Sequence, residues 1–300
     1  MLACARGAVD LVKFLLSKGA DTRQQDKQGR NALFYAVQSG NITILEILIK
    51  SDRHCYLKDN DGCGAFLFAC KREHFEVIEF FIENYQQLGL VISSNKNKSL
   101  LSEKDAKGRN GIHFAAELGN KPLYLMLTGY GMPVCCDNEG RCPLMLACLS
   151  AGIDFVRFLV SEQGMSHQQR QDDKGRNAVF YAITAGNVEM IEYLADNGFS
   201  LDITTSGLTP LMQASGKGSY FFFYVFVLHF SNVLFFSPHT GHVEVIKYLI
   251  DNKTRYQIDV DAMDDDGWDA CMYAVSIGDV DCLLVNTNIN RCDFTTSIVC

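Results

Sequence analysis

The chain has 300 residues, 48% apolar and 21% charged, an ordinary globular balance that excludes disorder and fibre and supplies apolar surface for a sizeable core. Its 27 basic and 35 acidic side chains leave a formal charge of −8, which argues against a strongly basic polyanion binder. The 12 cysteines include no Cys-x-x-Cys pair, so zinc ribbons and thioredoxin-type sites lose their signature.

The chain opens MLACARGAVDLVKFLL, where Asp10 and Lys13 interrupt what would be the apolar core of a signal peptide. A reduced, soluble, cytoplasmic chain, with the nucleus as a second compartment, is the expectation. Cys4, Cys70 and Cys148 each follow an alanine in similar segments, which predicts small buried apolar roles.

From there the chain repeats itself. Gly29, Gly62, Gly108, Gly140, Gly175, Gly207 and Gly267 follow polar pairs at intervals of 33, 46, 32, 35, 32 and 60. An alanine comes seven residues after each, and Ala3 holds that place in a headless first copy. Another glycine usually follows four residues later, with Glu73 as the exception, and then an apolar run such as ITILEILI or VEVIKYLI.

Each unit predicts a polar turn, a short helix, a glycine turn and a second helix. Asn31, Asn110, Asn177, Thr209 and Asp269 stand where a side-chain oxygen caps a first turn, and Pro143 and Pro210 stand one residue on, where a missing amide costs nothing. One such helix pair cannot bury its apolar face alone; stacked neighbours can.

These residues resemble the ankyrin repeat family. TPLMQA at 209–214, CPLMLA at 142–147 and NGIHFA at 110–115 are similar to its T-P-L-H-x-A element, and Gly241–Ile246 to its G-H-x-E-V-I element. NALFYA at 31–36 and NAVFYA at 177–182 depart from it, and His113 alone keeps the histidine of that element. The resemblance implies an all-α helical solenoid with β-hairpin or turn tips and about eight repeats. The expected division is a truncated repeat at 1–25, repeats at 26–58, 59–104, 105–136, 137–171, 172–204 and 205–263, a partial repeat at 264–285 and an irregular tail at 286–300. The ragged ends suggest a piece of a longer array.

Two interruptions stand out. Residues 83–104 lengthen the third repeat with a polar stretch expected to be a surface loop. Residues 219–241 split the seventh with a hydrophobic tract holding nine of the chain's aromatics, and joining Gly218 to His242 restores an intact repeat. Three readings stay open for this tract. A transmembrane span would part the two helices of one repeat. A hydrophobic loop could bind a partner or touch a membrane. A translated, retained intron is the third, since Gly-Ser and Thr-Gly admit GT and AG borders.

Catalytic and metal chemistry find no support, and no cofactor is expected. SGKGS at 215–219 lacks the leading glycine of a phosphate loop, and Asp259, Asp261 and Asp264–Asp266 sit out of register for a calcium loop and predict a hairpin tip instead. Arrays of the family bind partners through tips and first helices, the concave face. Carried onto this chain, those positions are basic: Lys27, Arg30, Lys71, Arg72, Lys107, Arg109, Arg141, Lys174 and Arg176. They suit an acidic or phosphorylated protein segment. The competing reading pairs each arginine with Asp26, Asp105, Asp137 or Asp172 as a solvated turn decoration. The functional expectation is a non-catalytic protein-interaction scaffold or adaptor. The alternatives are a targeting module of a larger enzyme, such as a ubiquitin ligase or kinase, and a membrane-associated protein using 219–241.

Overall fold

The computed structural model describes residues 1–84, 100–163, 170–201, 207–217 and 242–287. The bulk of the polar loop, the hydrophobic tract and most of the tail therefore lie outside the described residues. The chain forms two compact units, Met1–Pro143 and Leu144–Cys300.

In the first unit, helices come in pairs: α1 (Leu2–Ala5) with α2 (Val9–Ser17), α3 (Ala32–Ser39) with α4 (Ile42–Ser51), α5 (Ala65–Lys71) with α6 (Phe75–Asn84), and α7 (Gly111–Leu118) with α8 (Lys121–Gly129). From Pro143 onward the pairs are α9 (Pro143–Ser150) with α10 (Ile153–Gln163), and α11 (Ala178–Thr184) with α12 (Val188–Asp196). The next is α13 (Pro210–Met212), extended by a π-turn at Gln213–Lys217, with α14 (Val243–Asp251). Last comes α15 (Ala270–Ile277) with α16 (Val280–Thr287). No strand occurs among the described residues. Helix α16 runs two residues into the stretch expected to be irregular, and Asp279 caps its start by accepting the Cys282 amide at 3.0 Å.

All five expected caps are in place. Asn31 accepts from Leu33, Asn110 from Ile112 and His113, Asn177 from Val179 and Phe180, Thr209 from Met212, and Asp269 from Met272. The three asparagines do something more. Their amide nitrogens donate to Cys55 O at 2.6 Å, Pro133 O at 2.8 Å and Ser200 O at 2.6 Å, pinning the segment that leaves the second helix of the same repeat. Second helices are capped as well, by Asn41, Asn120 and Asn187.

The repeating alanine sits where first helices pack tightest: from Ala36 to Ala274 its seven occurrences are 0–1% exposed. Second helices bury one stripe, such as Ile44, Leu45, Leu48 and Ile49. Cys55, Cys63, Cys70 and Cys148 lie in this core, and burial pushes the Cys55 and Cys63 thiols up to about 12. They are packing residues.

A common bond closes the turn within five of the pairs. Ala8, His74, Asn120, Asn187 and Asp279 donate their backbone N–H to the alanine carbonyl five positions earlier, at 2.9–3.2 Å. The residue before each donor is left-handed. Glycine supplies this freely, but Glu73 adopts φ +57° at the cost of side-chain crowding and uses its carboxylate to accept the Asn120 amide at 3.1 Å.

The stretch expected to be a surface loop, 83–104, is not all surface: its end returns to the core through Leu100 and Glu103, both buried, because Glu103 is drawn in by its bond to Tyr56. Tyr56 donates to Glu103 Oε2 at 2.6 Å while accepting the Phe66 amide at 3.0 Å, and Oε1 lies against Gly64. Burial raises the Glu103 carboxyl above its ordinary value of 4.5, against the Tyr56 bond, Lys58 and the Gly64 amide, which lower it, with Asp59 adding to the rise. The folded chain therefore holds this proton more tightly than the unfolded one. Stability from this group is complete below the ordinary carboxylate value and is lost as pH rises through the folded value. Urea titrations between pH 5 and 8 should show wild type losing stability relative to Glu103→Gln; parallel curves would remove Glu103 from the account.

Candidate partner-binding surface

Six tips are each built by one aspartate. In Asp26–Arg30 the Asp26 amide donates to Arg30 O at 2.8 Å and the Gly29 amide to Asp26 O at 3.0 Å, closing the turn as a hairpin would. Asp26 Oδ1 accepts the backbone amides of Gln28 and Arg30, both at 2.9 Å. Asp59, Asp105, Asp137, Asp172 and Asp264 accept the corresponding two amides in their own tips at 2.8–3.0 Å. The last of these places the acidic cluster at a tip, as expected.

The second carboxylate oxygen takes the arginine. Nε and Nη2 of Arg109, Arg141 and Arg176 reach Oδ2 of Asp105, Asp137 and Asp172 at 2.7–2.9 Å, and Arg30 reaches Asp26 at 3.2–3.3 Å. The pairing is present, but it is not a solvated decoration: the Asp137 and Asp172 side chains are 0% exposed and Arg141 only 10%. Burial opposes the charged Asp172, yet the Arg176 and Tyr181 hydrogen bonds outweigh it and hold the carboxyl below its usual range.

Sequence reasoning missed the aromatic member of this cluster. Tyr35 and Tyr181 donate to Asp26 and Asp172 at 2.7 Å, and Tyr273 to Asp264. The arginines also stack on rings: Arg30 on Tyr35, Arg109 on Phe114 and Arg176 on Tyr181, at 4.9–5.5 Å. A tyrosine nine residues after the aspartate was the available signal, but Phe68, Phe114 and Leu146 hold that place in other tips.

The nine candidate residues thus divide. Arg30, Arg109, Arg141 and Arg176 are built into the tips. Lys27, Lys107 and Lys174 are exposed at tip crests, and Lys71 and Arg72 are exposed at the end of α5, where Arg72 lies 5.3 Å from the Phe68 ring.

Within the first unit neighbouring tips are hydrogen-bonded in series. Asn60 donates its backbone N–H to Gln28 O, Ala106 to Asp61 O and Asn138 to Lys107 O, at 2.9–3.0 Å. This brings the next tip so close that a Cβ on Gly62 would stand 2.7 Å from the Ala106 amide, and φ there is +76°. Only glycine meets both demands. Lys27 and Lys107 are therefore carried on a fixed frame.

Among the described residues no group of three or more His, Cys, Asp or Glu is placed to hold a metal ion. No described helix is long and apolar enough to cross a membrane. His113 is a core residue: its Nδ1 accepts the Asn110 amide at 3.1 Å, and burial lowers its pKa to about 4.

Family profiles described as ankyrin repeats match residues 1–90, 88–171 and 163–229, and a second profile of the same description matches 235–285. The chain belongs to the ankyrin repeat family. Among curated relatives of this ankyrin chain, an IkB-like protein of African swine fever virus is 24% identical over 164 residues, covering 53% of the chain and 66% of the relative. Ankyrin repeat protein nuc-2 of Neurospora crassa is 24% identical over 203 residues, 67% of the chain and 18% of the relative. Putative palmitoyltransferase ZDHHC13 of Danio rerio is 27% identical over 202 residues, 66% of the chain and 29% of the relative. The chain thus spans at most 66% of the length of these relatives.

Proposed function

We propose that this ankyrin chain is a non-catalytic protein-binding scaffold or adaptor, acting in the cytoplasm, whose partner lies along the tips and first helices and presents acidic or phosphorylated groups. The observation that carries this reading is the tip architecture. Asp–Arg pairs brace the tips, and in the first unit tip-to-tip hydrogen bonds hold neighbouring tips, so exposed Lys27 and Lys107 are presented with little ordering cost on binding, while Lys174 stands on a tip braced by its own Asp172–Arg176 pair. Lys71 and Arg72 extend the positive charge onto α5, and the framework arginines Arg30, Arg109, Arg141 and Arg176 add to the field.

Capture from lysate by the immobilised chain, with and without phosphatase treatment, tests the reading. Reversing Lys27, Lys107 and Lys174 to glutamate removes three surface charges worth roughly 0.5–1 kcal/mol each, so affinity for the captured protein should fall about 10–100-fold. The variant should keep the wild-type thermal midpoint. Unchanged affinity and salt dependence would overturn the charge component of the proposal.

The lengths of the relatives favour a second reading, in which the repeats target a larger enzyme. The matched region is only 18% of nuc-2 and 29% of the palmitoyltransferase-named relative. Sequencing the full-length transcript separates the two.

A further inference from the structure

The turn between α13 and α14 closes as five others do, across a much longer span. Ala214 occupies the place of Ala3, Ala69, Ala115, Ala182 and Ala274, and its carbonyl accepts a backbone N–H at 3.1 Å. The donor is His242, 28 positions on, where the turns at Ala3, Ala69, Ala115, Ala182 and Ala274 use five. His242 is in register in each further respect. Helix α14 starts on the next residue, as α2, α6, α8 and α12 start immediately after Ala8, His74, Asn120 and Asn187. The His242 ring covers Gly186, where a Cβ would come within 2.5 Å, and Nε2 lies 2.9 Å from Thr184 O. Val245, Ile246 and Leu249 are fully buried behind it.

The repeat is thus complete with five positions in the turn, and the surplus is 23 residues. Gly218 and Gly241 are the same residue type, so removing 218–240 or 219–241 leaves one chain, with a glycine before His242 as Gly119 precedes Asn120. The ankyrin profile matches break within this stretch, one ending at 229 and the next starting at 235.

We infer that residues 219–241 are the translation of an unspliced intron and are absent from the mature protein. Gly218-Ser219 admits GGT-AGT and Thr240-Gly241 admits ACA-GGT. Cutting before GT in the first glycine codon and after AG at the second leaves G and GT, which rejoin as a glycine codon in frame. The nine aromatics of the tract, all Phe or Tyr, have T-rich codons, as a T-rich intron would supply.

Amplification and sequencing of the message across codons 218 and 242 should give a product shorter by the 23 codons, joined through one glycine. A message population containing only the longer form overturns the inference. At the protein level, the chain lacking 219–241 should melt higher than the full chain by roughly 3–6 °C, because about two and a half doublings of loop length are removed. A deletion of equal length shifted to 221–243 removes His242 and Val243 and should lose hydrogen-exchange protection in α14. If the two deletions behave alike, or if the first melts below the full chain, the register argument fails.

Discussion

Replacing Asp137 with alanine should destabilise the chain by about 3 kcal/mol, the low end for breaking a buried ion pair. The substitution removes both acceptors of the tip at once. The backbone amides of Glu139 and Arg141 lose Oδ1, at 3.0 and 2.9 Å, and the Arg141 guanidinium loses Oδ2, at 2.8 Å from both Nε and Nη2. Glu139 lies 3.4 Å from Nη2 and keeps part of the guanidinium's compensation, which is why the low end applies. Arg141→Ala should cost less, about 1–2 kcal/mol, since Asp137 keeps its two amide donors. Asp137→Asn should fall between them, retaining a carbonyl for the amides without the charge. Urea unfolding followed by circular dichroism reads all three. Equal losses for Asp137→Ala and Arg141→Ala would mean that the ion pair alone holds the tip and that the backbone clamp adds nothing.

The fold was legible because each recurring position carries one local demand: a glycine at a left-handed turn, an alanine at close approach, an oxygen at a helix start. Local chemistry of that kind shows in a single chain as periodicity, and the described helices come in pairs. What escaped was chemistry acting between distant positions. Tyr181 serves Asp172 across nine residues and only in some tips. Glu103 meets Tyr56 across 47 residues and beyond an interruption, where no register points from one to the other. The basic stripe was legible as charge, but its division into arginines paired within the tips and exposed lysines depends on the carboxylate geometry of Asp105, Asp137 and Asp172. The end of α16 went unread for the opposite reason: Asn286 and Thr287 weaken the local helical pattern, yet the helix runs through them.

Asn31 makes the sharpest separation between a local and a long-range role. As a cap alone it would tolerate aspartate, which ranks beside asparagine at helix starts. In the structure its Oδ1 accepts the Leu33 amide at 3.1 Å while its Nδ2 donates to Cys55 O at 2.6 Å, and the residue is 0% exposed. Aspartate cannot donate when ionised, so it would set a buried carboxylate against a buried carbonyl. Asn31→Ala should cost about 2–4 kcal/mol, the lost cap together with an orphaned carbonyl. Asn31→Thr should cost roughly half as much, keeping the cap and losing the clamp. Asn31→Asp should be no better than alanine at neutral pH and should recover as pH falls and the carboxyl becomes able to donate. If aspartate matches wild type in urea unfolding at pH 7, capping accounts for this position. If it falls to the level of alanine, the tie to Cys55 explains why asparagine suits the position where the family pattern has threonine: a hydroxyl caps the helix, but only the amide also reaches the segment leaving α4.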